Sequence, residues 1–133
     1  MDRTIYLARF LGLGIILTVL GMVANKQTAV ETMSELFSQP ALMWVTGVFT
    51  MFLGLAIVLA HNRWSGGALP IIVTLYGWLV LAKGLMFVWL PASAEQAFYG
   101  SLHFGEYFYL YFVVSLAVGA YLTYGGFKKD AAA

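Results

Sequence analysis

Lys83 is the side chain whose position most needs a chemical explanation. It lies in the apolar run Leu79–Phe87, and no other charge occurs between Ala68 and Leu90. A charge at the centre of a bilayer costs about 2.5–3.5 kcal/mol, so an ionisable residue at such depth usually has a purpose. Because Leu90 is seven residues away, roughly 10 Å along a helix, Lys83 is expected in one half of the bilayer rather than at its midplane. Structural and functional roles both remain open.

Further polar groups follow Lys83 in the sequence and are expected to lie near it. Glu106 is expected to open the next apolar segment at a similar depth, with His103 one helical turn before it and tyrosines on either side. The predicted intramembrane polar pocket therefore comprises Lys83, Glu106, His103, Tyr99 and Tyr107. Such a pocket could relay protons, bind a small anion, or only hold two helices together.

Several other kinds of chemistry are excluded by what the sequence lacks. There is no cysteine, which removes disulfides, thiolate metal sites and thiol nucleophiles. No zinc-protease, phosphate-loop or Ser/His/Asp pattern occurs. His61 and His103 lie about one bilayer thickness apart, so they cannot ligate one haem within a chain. The net charge of +1 gives no attraction to nucleic acid. We therefore expect no enzyme activity, no metal and no cofactor.

The elements that must position these residues are membrane-spanning helices. The chain is 62% hydrophobic and 10% charged, against roughly 45–50% and about 25% in soluble domains. Four apolar segments, 5–24, 41–60, 68–90 and 104–127, each reach the roughly 20 residues that a helix needs to cross a bilayer. None alternates polar and apolar residues as a barrel strand does. The sequence thus predicts a single domain over residues 1–133, an all-α integral membrane antiparallel four-helix bundle.

The connecting segments support this arrangement. Prolines lie at or near the segment ends, at Pro40, Pro70 and Pro91. The short link His61–Gly67 predicts that the second and third segments are antiparallel neighbours. Thr28 and Ser93, in the two longer links, are each followed three residues later by Glu or Gln, the spacing of a capping box. Both longer links are therefore predicted to contain a short helix on the membrane surface.

The distribution of charge predicts the orientation. One side of the predicted bundle carries Arg3, Arg9, Arg63, Lys128 and Lys129, and the other carries Lys26 with Glu31, Glu35 and Glu95. Since loops rich in lysine and arginine stay in the cytoplasm, both termini and the short link are predicted to be cytoplasmic. The two longer links then face outwards, and Lys83 and Glu106 belong to the outer half of the membrane.

Small residues at helical spacing predict how the helices pack. Within lipid, helices associate through close backbone approach and buried polar contacts rather than through the hydrophobic effect. The candidate packing positions are Gly14, Thr18 and Gly21, then Gly47 and Gly54, then Gly77 and Gly84, and finally Ser115 and Gly119. These stripes predict contacts within one chain, and one of them could instead form the interface of a homo-oligomer.

The second and third segments contain the pattern His61-Asn62-Arg63-Trp64, Thr74-x-x-Gly77-Trp78-x-x-x-x-Lys83-Gly84 and then Pro91. This pattern resembles that of small uncharacterised four-span bacterial integral membrane proteins. The resemblance implies a bacterial inner-membrane location and brings no activity with it.

Two classes of function fit these features. The first is an oligomeric channel or transporter for ions or small solutes, with its pathway near Lys83 and Glu106; a four-helix bundle is too thin to enclose a wide pore alone. The second is a non-catalytic accessory or assembly subunit of a larger membrane complex. The expected partners are the lipid bilayer and either further copies of the chain or that complex.

Overall fold

The computed structural model describes residues 2–103 and 105–132, with side chains at all of these positions except 92 and 129–132. Within these residues the chain forms six α-helices. They are α1 (Arg3–Ala24), α2 (Lys26–Phe37), α3 (Pro40–Ala60), α4 (Ala68–Trp89), α5 (Ala92–Ser101) and α6 (Phe108–Ala132). The predicted all-helical class is confirmed.

Four helices in this described part are long and apolar enough to cross a membrane: α1, α3, α4 and the Phe108–Lys128 part of α6. Each contains 21 or 22 residues, which makes about 32 Å of helix against about 30 Å of hydrocarbon. The first three agree with the predicted segments to within two residues. The fourth is predicted to begin at position 104, which lies outside the described residues, whereas α6 begins at Phe108. Glu106 therefore lies in the turn before the helix and does not open it.

The two longer links each contain a short helix, α2 and α5. The side chain of Asn25 accepts a hydrogen bond from the backbone N–H of Thr28 at 3.4 Å, so α2 begins at Lys26. Helix α5 begins directly after Pro91, whose backbone is extended. The helix starts predicted at Thr28 and Ser93 are wrong by a few residues, because asparagine caps a helix as well as threonine does and Pro91 already sets the preceding turn.

Helices α3 and α4 approach each other closely at four glycines. Gly47 faces Phe87, Gly54 faces Leu81, Gly84 faces Met51 and Gly77 faces Ile57. A Cβ atom at Gly54 or Gly84 would overlap the backbone of the opposite helix. These two positions require glycine because any side chain would force the helices apart.

Helices α1 and α6 form a second close pair. A Cβ atom at Gly119 would lie 3.0 Å from the side chains of Ile15 and Ile16, and Gly12 lies directly against Thr123. By contrast, a Cβ atom at Gly14 or Gly21 would meet no atom within 4 Å. Of the predicted packing positions, Gly14 and Gly21 therefore lie outside the contacts made within this chain.

The two helix pairs meet at one end. Buried side chains from all four long helices form a single cluster there: Leu7, Ala8 and Leu11 of α1, Ile57 of α3, Leu69 and Val73 of α4, and Leu122 of α6. At the opposite end, Phe37 of α2 packs with Met43 and Phe87, and its ring stacks on Tyr99 of α5 at 4.4 Å between centroids. The short helices thus cover the end of the α3–α4 pair.

Candidate functional site

The predicted pocket around Lys83 is only partly assembled. Lys83 and Glu106 are both exposed, and within the described residues no hydrogen bond or ion pair joins them. The Lys83 ammonium instead lies 5.8 Å from the centroid of the Phe87 ring, one turn further along α4. The separation follows from the late start of α6, which leaves Glu106 in an exposed turn.

The remaining pocket residues divide into two groups. The rings of His103 and Tyr107 lie edge to face with centroids 6.2 Å apart. Tyr99 is instead half-buried against Phe37, and this burial raises the pKa of its hydroxyl. The structure therefore brings His103 and Tyr107 together and keeps Tyr99 with the short helices. Any role of these residues in function stays a prediction.

A more complete polar cluster surrounds His61 at the opposite end of α3. The imidazole Nε2 lies 2.7 Å from the hydroxyl of Thr4 on α1, and Nδ1 lies 3.0 Å from the hydroxyl of Thr74 on α4. All three residues are at most 3% exposed. A buried polar group is stable only when its hydrogen bonds are satisfied. His61 thus ties three of the four long helices together.

The hydrogen bonds of Thr74 determine the tautomer of His61. The Thr74 hydroxyl donates its one proton to the carbonyl of Arg63 at 2.9 Å and accepts from the Arg63 backbone N–H at 3.0 Å. It therefore has no proton left for His61, so the imidazole must donate from Nδ1. Nε2 is then an acceptor, and Thr4 donates to it. The neutral imidazole is fully satisfied, with no place for a second proton.

Charges nearby reinforce the neutral state. Burial is the main cause that lowers the pKa of His61, and the Arg63 guanidinium lowers it further, while the Asp2 carboxylate and a backbone hydrogen bond act in the opposite direction. Arg63 also lies 3.8 Å from Asp2 in an exposed ion pair. Because exposed pairs contribute little free energy, this pair orients Arg63 rather than holding the cluster together.

The link His61–Gly67 runs back along α4. Its contact with Thr74 lies six residues into α4, about 9 Å from the first residue of that helix. The side chain of Asn62 accepts hydrogen bonds from the indole N–H groups of Trp64 at 2.9 Å and Trp78 at 3.3 Å. The contacts of Arg63 with Thr74 and of Asn62 with Trp78 thus fasten this non-helical segment to α4.

Six residues of the pattern quoted for the resemblance meet in this cluster: His61, Asn62, Arg63, Trp64, Thr74 and Trp78. Sequence reasoning places His61 only at a helix end and misses its partners. One sequence signal could have indicated the cluster. The polar residues His61 and Asn62 of the link are followed by Thr74 and Trp78, which can form hydrogen bonds and lie within the first three turns of the next helix.

An apolar crevice of about 650 Å³ separates the two helix pairs. All four long helices line it, among others through Ile15 and Thr18, Leu53, Tyr76 and Leu79, and Val118. Its inner end is lined by Leu11, a member of the buried cluster where the two helix pairs meet. Several lining residues are exposed, Leu79 at 68% and Phe10 at 51%, so the crevice opens on the side of the chain. Thr18 and Ser115, two predicted packing residues, line this space.

Metal binding finds no support in the described part of the chain, where no group of three or more His, Cys, Asp or Glu side chains lies together. Comparison with protein-family models, with curated proteins and with solved structures finds no match for this chain.

Proposed function

We propose that this is an integral protein of a bacterial inner membrane, an antiparallel four-helix bundle that assembles into an oligomeric channel or transporter for ions or small solutes. Large apolar side chains on the outside of the helices support a lipid environment, among them Leu17, Phe49, Leu59 and Trp89, each at least 70% exposed. Water would hydrate such a surface at a high cost in free energy. The opposite order of contacting positions in α3 and α4, and in α1 and α6, supports the antiparallel arrangement.

A cytoplasmic position of both termini is supported by the charges that gather at one end. The Arg3 guanidinium donates to the carbonyl of Ala60 at 3.3 Å, and Arg63 pairs with Asp2. Gly125 of α6 lies against Leu69 of α4 at the same end. The start of α1, the short link and the end of α6 thus form one positively charged end, which the positive-inside rule assigns to the cytoplasm.

The observation that carries the transport proposal is the exposed side chain of Lys83. It lies within a membrane-spanning helix, six residues before the end of α4, and in the described part of the chain no carboxylate pairs with it. A charge in that position is costly in lipid, and such residues generally mark the path of an ion or substrate. A second copy of the chain placed over the open side of the crevice would cover Lys83 and enclose a path beside it.

Liposome flux measurements test this proposal. Purified protein in liposomes is expected to move protons or small anions, and Lys83→Met is expected to lower the flux about tenfold, because one charge-assisted contact is worth at least that factor. Lys26→Met is a matched control, since the Lys26 ammonium also lies near the outer end but rests 4.7 Å from the Tyr109 ring centroid. Wild-type flux equal to that of empty liposomes, across protons, common ions and organic anions, would refute the proposal.

An accessory subunit of a larger membrane complex is the second candidate. The open space beside Gly14 and Gly21 favours it, because a bare glycine surface on α1 admits the close approach of a helix from another protein. Purification in mild detergent separates the candidates. Recovery of a stoichiometric complex with different chains would favour the accessory role, and recovery of this chain alone would count against it.

A further inference from the structure

We infer that the crevice between the two helix pairs binds a single-chain anionic amphiphile, a long-chain carboxylate, with its chain in the crevice and its carboxylate at Lys83. The inference rests on the proposed function, since it names the class of substrate that the pathway would take. A substrate with a long apolar part suits this crevice better than a hydrated ion does.

The walls and size of the crevice fit one hydrocarbon chain. Its volume of about 650 Å³ lies within the range of about 300–1,000 Å³ that is usual for ligand sites. Leu53, Ile72, Leu79 and Val118 supply apolar walls from three different helices. The few polar side chains in the walls, such as Thr18, have hydroxyl groups and carry no charge. Because the crevice opens on the side of the chain, a ligand can enter from within the membrane.

Lys83 does not line the crevice itself but follows the lining residues along α4. Ile72, Tyr76 and Leu79 line the crevice from α4, and Lys83 is the next residue on the same helical face, because residues three or four apart lie above one another. From Ile72 to Lys83 the helix rises about 16 Å, a length that suits an extended medium-length acyl chain such as that of laurate or myristate. The ammonium thus lies where the head of such a chain would be.

The depth of Lys83 favours a carboxylate over a phospholipid head group. Lys83 lies six residues, about 9 Å, before the end of α4, below the level at which phosphate groups of the bilayer lie. A carboxylate is compact and can be carried to this depth, whereas a glycerophosphate group is bulky and strongly hydrated. In the part of the chain that the structure describes, no acidic side chain forms an ion pair with Lys83, so the ammonium is available to a ligand.

Photo-crosslinking tests the site directly. The full chain is placed in nanodiscs of zwitterionic lipid and exposed to a myristate analogue that carries a diazirine at the end of its chain. We expect labelling near Ile72 and Val118, at the inner end of the crevice, and competition by unlabelled myristate. Lys83→Met is expected to lower the labelling about tenfold, and Leu79→Trp to lower it by filling the crevice. Lys26→Met, the matched control, is expected to leave it unchanged.

Three outcomes would overturn the inference: labelling that Lys83→Met leaves unchanged, equal labelling by the corresponding long-chain alcohol, or Lys83-dependent labelling by a phosphatidylglycerol analogue that myristate does not displace. The flux assay separates this failure from that of transport. Ion flux without crosslinking would refute the amphiphile site alone. Crosslinking at the expected residues without flux of protons, ions or myristate would leave the binding site standing and refute the transport function.

Discussion

Replacing Thr74 by valine removes one hydroxyl from the centre of the His61 cluster and changes the shape of the side chain very little. Thr74 is completely buried, and its hydroxyl serves three groups at once. It accepts from the His61 imidazole and from the backbone N–H of Arg63, and it donates to the carbonyl of Arg63. In Thr74→Val all three groups lose their partner.

The expected loss of stability follows from the burial of those groups. The Nδ1–H of His61 is buried, and leaving such a donor unsatisfied costs about 1–3 kcal/mol. The backbone groups of Arg63 are only partly buried, so water replaces part of their hydrogen bonding and each adds less. We therefore expect Thr74→Val to lower the free energy of unfolding by about 2–4 kcal/mol.

Reversible unfolding in mixed detergent micelles measures this difference, with helix content followed by circular dichroism. Thr18→Val is the matched control, because among the described residues the Thr18 hydroxyl forms no hydrogen bond and lines the crevice. Its unfolding free energy is expected to stay within about 0.5 kcal/mol of the wild type. If Thr74→Val were equally neutral, the three hydrogen bonds would contribute nothing and the His61 cluster would not join the helices.

Two further outcomes are expected. Gly54→Ala should destabilise the fold strongly, by about 3 kcal/mol, because a Cβ atom there overlaps the backbone of Leu81; Gly21→Ala, with open space around the new methyl group, should leave unfolding unchanged in the same assay. The free energy of unfolding should also decrease as the pH is lowered, because of His61. Its pKa is lowered in the folded chain, so below about pH 6.5 the unfolded chain takes up a proton that the folded chain does not, with a slope of at most about 1.4 kcal/mol per pH unit. His61→Gln should reduce this slope, and an unchanged slope would contradict the assignment of a neutral His61.

The long helices could be predicted from the sequence because their lengths are set by the thickness of a bilayer. An uninterrupted apolar segment of about 20 residues has few alternatives to a helix, and α1, α3 and α4 begin and end close to the expected positions. The glycines of α3 and α4 were also identifiable, since short links make sequential helices neighbours. Gly14 and Gly21 have the same spacing but face open space. This difference could not be predicted, because sequence periodicity does not specify which face of a helix meets its partner.

The polar sites were harder to predict, for two separate reasons. The pairing of Lys83 with Glu106 depended on α6 starting at position 104, and a start at Phe108 moves the carboxylate into a turn. The His61 cluster depends on Thr4, 57 residues away in the sequence. No local pattern indicates that α1 passes the end of α3, so the most complete polar cluster of the described chain could not be found from spacing alone.

The pairing of α1 with α6 has a consequence for biogenesis. Helices α3 and α4 are consecutive long helices and can associate as soon as both have left the ribosome, whereas α6, the partner of α1, follows them in the chain. Until α6 is made, Gly12 and its neighbours face lipid or the insertion machinery, and α1 and α6 must then come together across a long stretch of chain. A chain interrupted within α5 would therefore insert its first three long helices and still leave α1 without its close partner α6, with the glycine face around Gly12 exposed to membrane quality control.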